Sequence, residues 1–158
     1  FSMTPPPPTT TLEADRRQRQ MCIRDRPSSD DEAMELMEAA AGDYDFTFVH
    51  YKATDARGED GDFAAKVAAI EAADRQVQRI LETRPDVLLV TGDHSTPANM
   101  AAHSWHPVPL MIHGPHVRPT ASTFGEATCR VGDLGVMPAR HLMSLALAHA
   151  GRLEKFGA

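Results

Sequence analysis

One stretch, Val87-Leu-Leu-Val-Thr-Gly-Asp-His-Ser-Thr-Pro97, restricts what this chain can fold into more than any other. An apolar run stops at a glycine and gives way to an acid, an imidazole and two hydroxyls. A short continuous apolar run bounded by turn residues reads as a buried strand, predicted here over 87–90. Its carboxyl end carries Asp93 and His94, and open α/β sheets keep their chemistry at that edge. Carboxylate oxygen and imidazole nitrogen both ligate divalent cations. Asp55 and Glu59 upstream and His103 downstream offer the same two chemistries, so these five residues are the candidate metal ligands.

The elements around that strand follow from spacing and punctuation. Ser28 and Ser29 precede an acidic first turn, Met34, Met37 and Ala41 recur at helical spacing, and Gly42 closes the segment, which predicts a helix whose methionines pack rather than ligate. The aromatic and β-branched run Asp45–Tyr51 predicts a strand. Asp62 is placed to cap a helix over Phe63–Thr83, in which Val67, Ile70, Val77, Ile80 and Leu81 share a face opposite Lys66, Glu71, Arg75 and Arg79. Arg84-Pro-Asp86 ends it. A helical turn over 98–102, a third strand edged by prolines over 107–113, a long loop over 114–129 and a terminal helix over 138–151 complete the order. Helices alternating with strands predict a layered α/β domain with a mostly parallel sheet flanked by helices.

Between the strand at 45–51 and the helix at 63–83, Lys52–Asp62 reads as a loop with four carboxylates in eight residues: Asp55, Glu59, Asp60 and Asp62. Such a loop either holds a cation or is simply solvated, and its spacing is not that of an EF-hand. Trp105 reads as an apolar cover for the site or the core. His106, His113 and His116 read as surface or satisfied histidines.

Charge narrows the partners. Residues 1–26 carry five arginines against three carboxylates, whereas the remainder carries eleven basic and nineteen acidic side chains. An acidic body argues against nucleic acid as the main partner, but not against an anionic substrate, because bound metal inverts the local field. No apolar run approaches the ~20 residues that span a bilayer, no signal-peptide pattern opens the chain, and two cysteines make no disulfide frame. A cytoplasmic setting with no membrane partner is the expectation.

Residues 1–27 are expected to be a disordered leader, since Pro- and Arg/Gln-rich tracts lack apolar groups to offset chain entropy. Met21-Cys-Ile-Arg-Asp-Arg26 resembles the translation of a transposase end sequence used in preparing sequencing libraries. The leader is therefore expected to be artefactual or unrelated, the gene truncated on its 5′ side, and 28–158 the domain proper.

Four blocks, Phe48-Val-His-Tyr-Lys-Ala-Thr-Asp55, Asp60-Gly-Asp-Phe63, Thr91-Gly-Asp-His-Ser-Thr-Pro97, and His103 with Pro107-Val-Pro109, resemble the C-terminal part of the cofactor-independent phosphoglycerate mutases. The similarity is to the archaeal-type branch, within the alkaline phosphatase superfamily, and spans about residues 30–151. It implies a partial alkaline-phosphatase-like domain with two divalent metals, one on Asp55, the residue four positions on and His103, the other on Asp93 and His94. It implies interconversion of 3- and 2-phosphoglycerate through a phosphoserine.

Two departures qualify this. Many relatives carry His where this chain has Glu59, a harder ligand that favours manganese or magnesium over zinc. The family's serine nucleophile and its substrate-covering domain match nothing in this chain, so no catalytic residue is assigned, and the chain alone is expected to be inactive. Lys52 is the one candidate substrate contact, with a solvated lysine as its alternative reading. Two other readings stay open: a piece of another phosphatase or phosphotransferase of the same superfamily, and a non-catalytic metal-binding domain.

Overall fold

In the computed structural model of the chain, residues 20–21 and 29–153 are described. Apart from Gln20–Met21, the leader expected over 1–27 lies outside them. The chain divides into two units, 1–50 and 51–158.

In the first unit, helix α1 (Asp30–Ala40) starts as the sequence dictates. The Ser29 hydroxyl accepts a hydrogen bond from the Glu32 amide at 3.2 Å, and Asp30, Asp31 and Glu32 place negative charge at the positive end of the helix dipole. Met34, Met37 and Ala40 are its buried face. The predicted strand at 45–51 is realised only as β2 (Phe46–Thr47), which pairs in parallel with β1 (Gln20–Met21), Gln20 opposite Phe46.

The second unit opens with a departure. Lys52–Asp62, read as a loop, contains helix α2 (Ala53–Glu59). Gly61, at φ +71°, turns the chain out of it, in the left-handed region glycine enters without steric cost. Helix α3 (Phe63–Glu82) follows under the expected cap, Asp62 Oδ1 accepting from the Ala65 amide at 2.9 Å. Helices α2 and α3 pack together. At about 1.5 Å per residue, seven residues of α2 cannot cover twenty of α3. Accordingly no α3 residue is buried, and Val67 and Ile70 of the expected apolar face are exposed, as is Phe63.

Strand β3 (Leu88–Val90) pairs with β4 (Met111–His113), Leu88 opposite His113 and Val90 opposite Met111. This pair is antiparallel, which corrects the expectation of a mostly parallel sheet for the described residues. The reason lies in the connection. A parallel neighbour is normally reached through a crossover helix, whereas residues 91–110 form only turns and an isolated bridge, so the chain doubles back. The loop at 114–129 ends in a short helix, α4 (Glu126–Cys129). The terminal helix is a 3-10 turn over Ala139–His141 running into α5 (Leu142–His149). No helix of the described residues is long and apolar enough to cross a membrane.

Candidate metal centre

Helix α2 brings two of the candidate ligands to one face. Asp55 and Glu59 stand four residues apart, and i and i+4 side chains share one face of a helix. The loop after β3 brings up His94, and a second loop brings up His103. Between them an antiparallel bridge joins Ser95 to Ser104, the Ser104 amide donating to the Ser95 carbonyl at 2.8 Å. That bridge sets the His94 and His103 rings face to face, with centroids 3.8 Å apart and planes 29° from parallel. Ala101, in the turn just before His103, adopts φ +46°, a left-handed conformation that costs a residue with a Cβ about 1–2 kcal/mol. It is held there by hydrogen bonds from its amide to the Pro97 and Ala98 carbonyls.

One ligand atom each from Asp55, His94 and His103 lies within 4.8 Å of the others. Asp55 Oδ1 is 3.7 Å from both His94 Nδ1 and His103 Nε2, and Glu59 Oε1 is 3.3 Å from His103 Nε2. Atoms each about 2.1 Å from a shared ion sit roughly 3–4 Å apart, so this spacing fits a cation. Asp93 stands apart from that group. Its carboxylate is mostly exposed, with Oδ1 accepting from the His94 amide at 3.0 Å and Oδ2 3.5 Å from His94 Nε2. The donor set of carboxylate oxygens and imidazole nitrogens, without thiolate, is that of hard to borderline divalent ions.

Lys52 answers part of the negative charge. Its ammonium donates to Asp55 Oδ2, which sets the candidate substrate contact beside a candidate ligand. This contact first, and the Thr96 hydroxyl second, lower the Asp55 pKa to about 2; the same carboxylate raises that of Lys52. Only 14% of the Asp55 side chain is exposed.

Three further residues shape this centre. Thr96, 6% exposed, donates from Oγ1 to Asp55 Oδ1 at 2.6 Å and lies 3.1 Å from His94 Nδ1. Lys66, on α3, donates to the Thr96 carbonyl. Gly58 is buried against that carbonyl: a Cβ would run into it and stand 2.8 Å from the Lys66 ammonium. The second hydroxyl of the Asp93-His94-Ser95-Thr96 run was the available signal for Thr96. A glycine at 58 permits close approach, which suits a ligand loop as well as any turn, and nothing in the spacing marks Lys66.

Other expectations fall outside the centre. Trp105 is 81% exposed and stacks on His106 rather than covering anything, because the Ser95–Ser104 bridge ends just before it and releases the chain outward. His106 Nδ1 meets Ser104 Oγ at 2.9 Å.

Comparison with known proteins adds three observations. A family model described as Metalloenzyme superfamily matches residues 22–149. A probable 2,3-bisphosphoglycerate-independent phosphoglycerate mutase from Thermosipho melanesiensis is 56% identical over 116 residues, which is 73% of this chain and 29% of that protein. Its namesake from Aquifex aeolicus is 48% identical over 126 residues, 79% of this chain and 31% of that protein. The chain thus spans about three-tenths of the length of these relatives. Among solved structures, the PH0037 protein from Pyrococcus horikoshii matches with a TM-score of 0.75 at 38% identity, over 80% of this chain and 40% of that one.

Proposed function

The chain belongs to the Metalloenzyme superfamily, and on that premise we propose that it is the metal-holding, C-terminal part of a phosphoglycerate mutase. The observation that carries the reading is the convergence of Asp55, His94 and His103 ligand atoms within 4.8 Å, in a chain similar over most of its length to proteins named as probable mutases. In this reading residues 28–158 form part of an alkaline-phosphatase-like layered domain working in cytoplasmic glycolysis. Asp55, Glu59 and His103 would hold one divalent ion, and Asp93 with His94 the other. Glu59 adds a hard oxygen to the first set, which favours manganese or magnesium over zinc.

Bound metal would supply charge neutralisation on the phosphoryl oxygens during in-line transfer between the two hydroxyl positions of the glycerate. The chain's own residues have simpler tasks. Lys52, exposed beside Asp55, would turn its ammonium toward the substrate phosphate or carboxylate once another cation satisfies Asp55. Helix α2 and the Ser95–Ser104 bridge hold the ligands in place beforehand, so little reorganisation remains for the reaction itself. The serine that accepts the phosphoryl group is proposed to come from the part of the relatives' length that this chain does not span.

A chimera tests this. The segment of the Thermotoga maritima relative, 54% identical over 117 residues, is replaced by the matching segment of this chain in a parent first shown to interconvert 3- and 2-phosphoglycerate. Retained mutase activity, lost on Asp55→Asn, is the expected result. A folded chimera that hydrolyses other phosphate esters but does not interconvert phosphoglycerates would favour a different phosphotransferase and overturn the reading.

A further inference from the structure

We infer that Thr96 is a positioning residue that fixes the tautomer of His94 and so decides which of its two nitrogens is free to take a metal. The inference rests on reading this cluster as a metal centre and goes beyond it, because the geometric triad of Asp55, His94 and His103 gives no preference between the His94 nitrogens.

The argument is a proton count. A threonine hydroxyl has a single proton to donate. At 2.6 Å from Asp55 Oδ1, Thr96 Oγ1 gives that proton to the carboxylate, which has none to offer in return. His94 Nδ1 lies 3.1 Å from the same hydroxyl oxygen. With the threonine proton committed, the remaining favourable arrangement is Nδ1–H donating to Oγ1. The relay therefore runs from His94 Nδ1–H to Thr96 Oγ1–H to Asp55 Oδ1.

A neutral imidazole protonated on Nδ1 carries its lone pair on Nε2. That nitrogen lies 3.5 Å from Asp93 Oδ2, whereas Nδ1 faces Asp55. Thr96 thus stands between two groups of ligand atoms. On one side are Asp55, Glu59 and His103 Nε2; on the other are Asp93 and His94 Nε2. Although Nδ1 is only 3.7 Å from Asp55 Oδ1, it is a donor in this network and not a metal ligand.

The hydroxyl is held where the relay needs it. Thr96 is 6% exposed, so little of the residue meets solvent. The Lys66 ammonium grips its carbonyl, and the missing side chain of Gly58 lets α2 approach that carbonyl closely. Groups that orient a metal-ligating histidine through its other nitrogen typically change metal affinity about 10–100-fold when removed.

The test uses the full chain, metal-free at pH 8, and long-range nitrogen–proton correlation spectra of the His94 ring. Nδ1–H is expected in the native protein. In Thr96→Val, of nearly the same shape, the ring should move toward Nε2–H, and Thr96→Ser should restore it. Manganese titration of the same three proteins should show binding at Asp93 and His94 about 10–100-fold weaker in the valine variant only. An Nε2–H ring in the native protein overturns the inference without recourse to any variant, and so does a ring unchanged by Thr96→Val in a protein with native spectral dispersion. Because the tautomer is read without metal, a chain that binds no manganese at all would refute the metal centre while leaving the relay to be judged on the spectrum.

Discussion

Asp55 is the residue on which the site converges, and its charge is set by its neighbours. Lys52 first, and then Thr96, hold its pKa at about 2 against an ordinary 3.8. A carboxyl depressed on folding stabilises the folded state above its unfolded pKa, and that contribution is lost as pH falls from about 4 to about 2. Replacing Lys52 with Met removes the leading cause, so the Asp55 titration followed by carboxyl carbon shifts should move up toward the ordinary value. A midpoint still near 2 would show that Lys52 does not hold it there. Glu59 offers a second experiment at this scale. Glu59→His exchanges a hard oxygen for an imidazole, and competition titration should then show zinc gaining on manganese relative to the native chain. Asp93 and His94 were legible as candidates because an acid and an imidazole just past a strand are unusual. Thr96 was not, because a buried hydroxyl and a solvated one are written alike.

At the scale of elements, legibility followed local chemistry. Helices α1 and α3 announce themselves through Ser29 and Asp62, whose side chains cap them as the sequence requires. Helix α2 does not, since it is short and sets Thr54, Asp55 and Gly58 among its better helix formers; seven residues depend on packing against α3 for their helicity. Gly58 lets α2 lie close against the Thr96 carbonyl. Gly58→Ala drives a methyl into the Thr96 carbonyl, and overpacking of this kind costs about 1–3 kcal/mol. Thermal denaturation should register that loss, together with weaker metal binding as α2 shifts away from the His94 loop; a melt identical to the native one would mean α2 is not pressed against it. In the first unit, Met34→Ala should cost about 2–5 kcal/mol, read by denaturant unfolding, because that side chain is 1% exposed.

For the whole molecule, the alternation of helices and strands conveyed α/β character but not sheet direction. The run at 87–90 is equally apolar whether its partner runs parallel or antiparallel. What decides is the connection after it, and residues 91–110 are spent on the site rather than on a crossover helix. The amphipathic stripe of α3 was read correctly as a stripe but is not buried among the described residues. Ile70→Glu on that stripe should therefore change the stability of this chain by less than about 0.5 kcal/mol, far below the loss expected at Met34. The matched segment is about three-tenths of the length of these relatives, and much of the apolar face of α3 in this chain faces solvent.

The most direct test of the metal centre is a calorimetric titration of the full chain with manganese, run beside the Asp55→Asn and His103→Ala variants. Saturable binding by the native chain that weakens at least tenfold in both variants is the predicted result. Native and variant proteins that bind alike, or a native chain that takes up no ion, would contradict the assignment of Asp55, Glu59 and His103 as a metal-holding set.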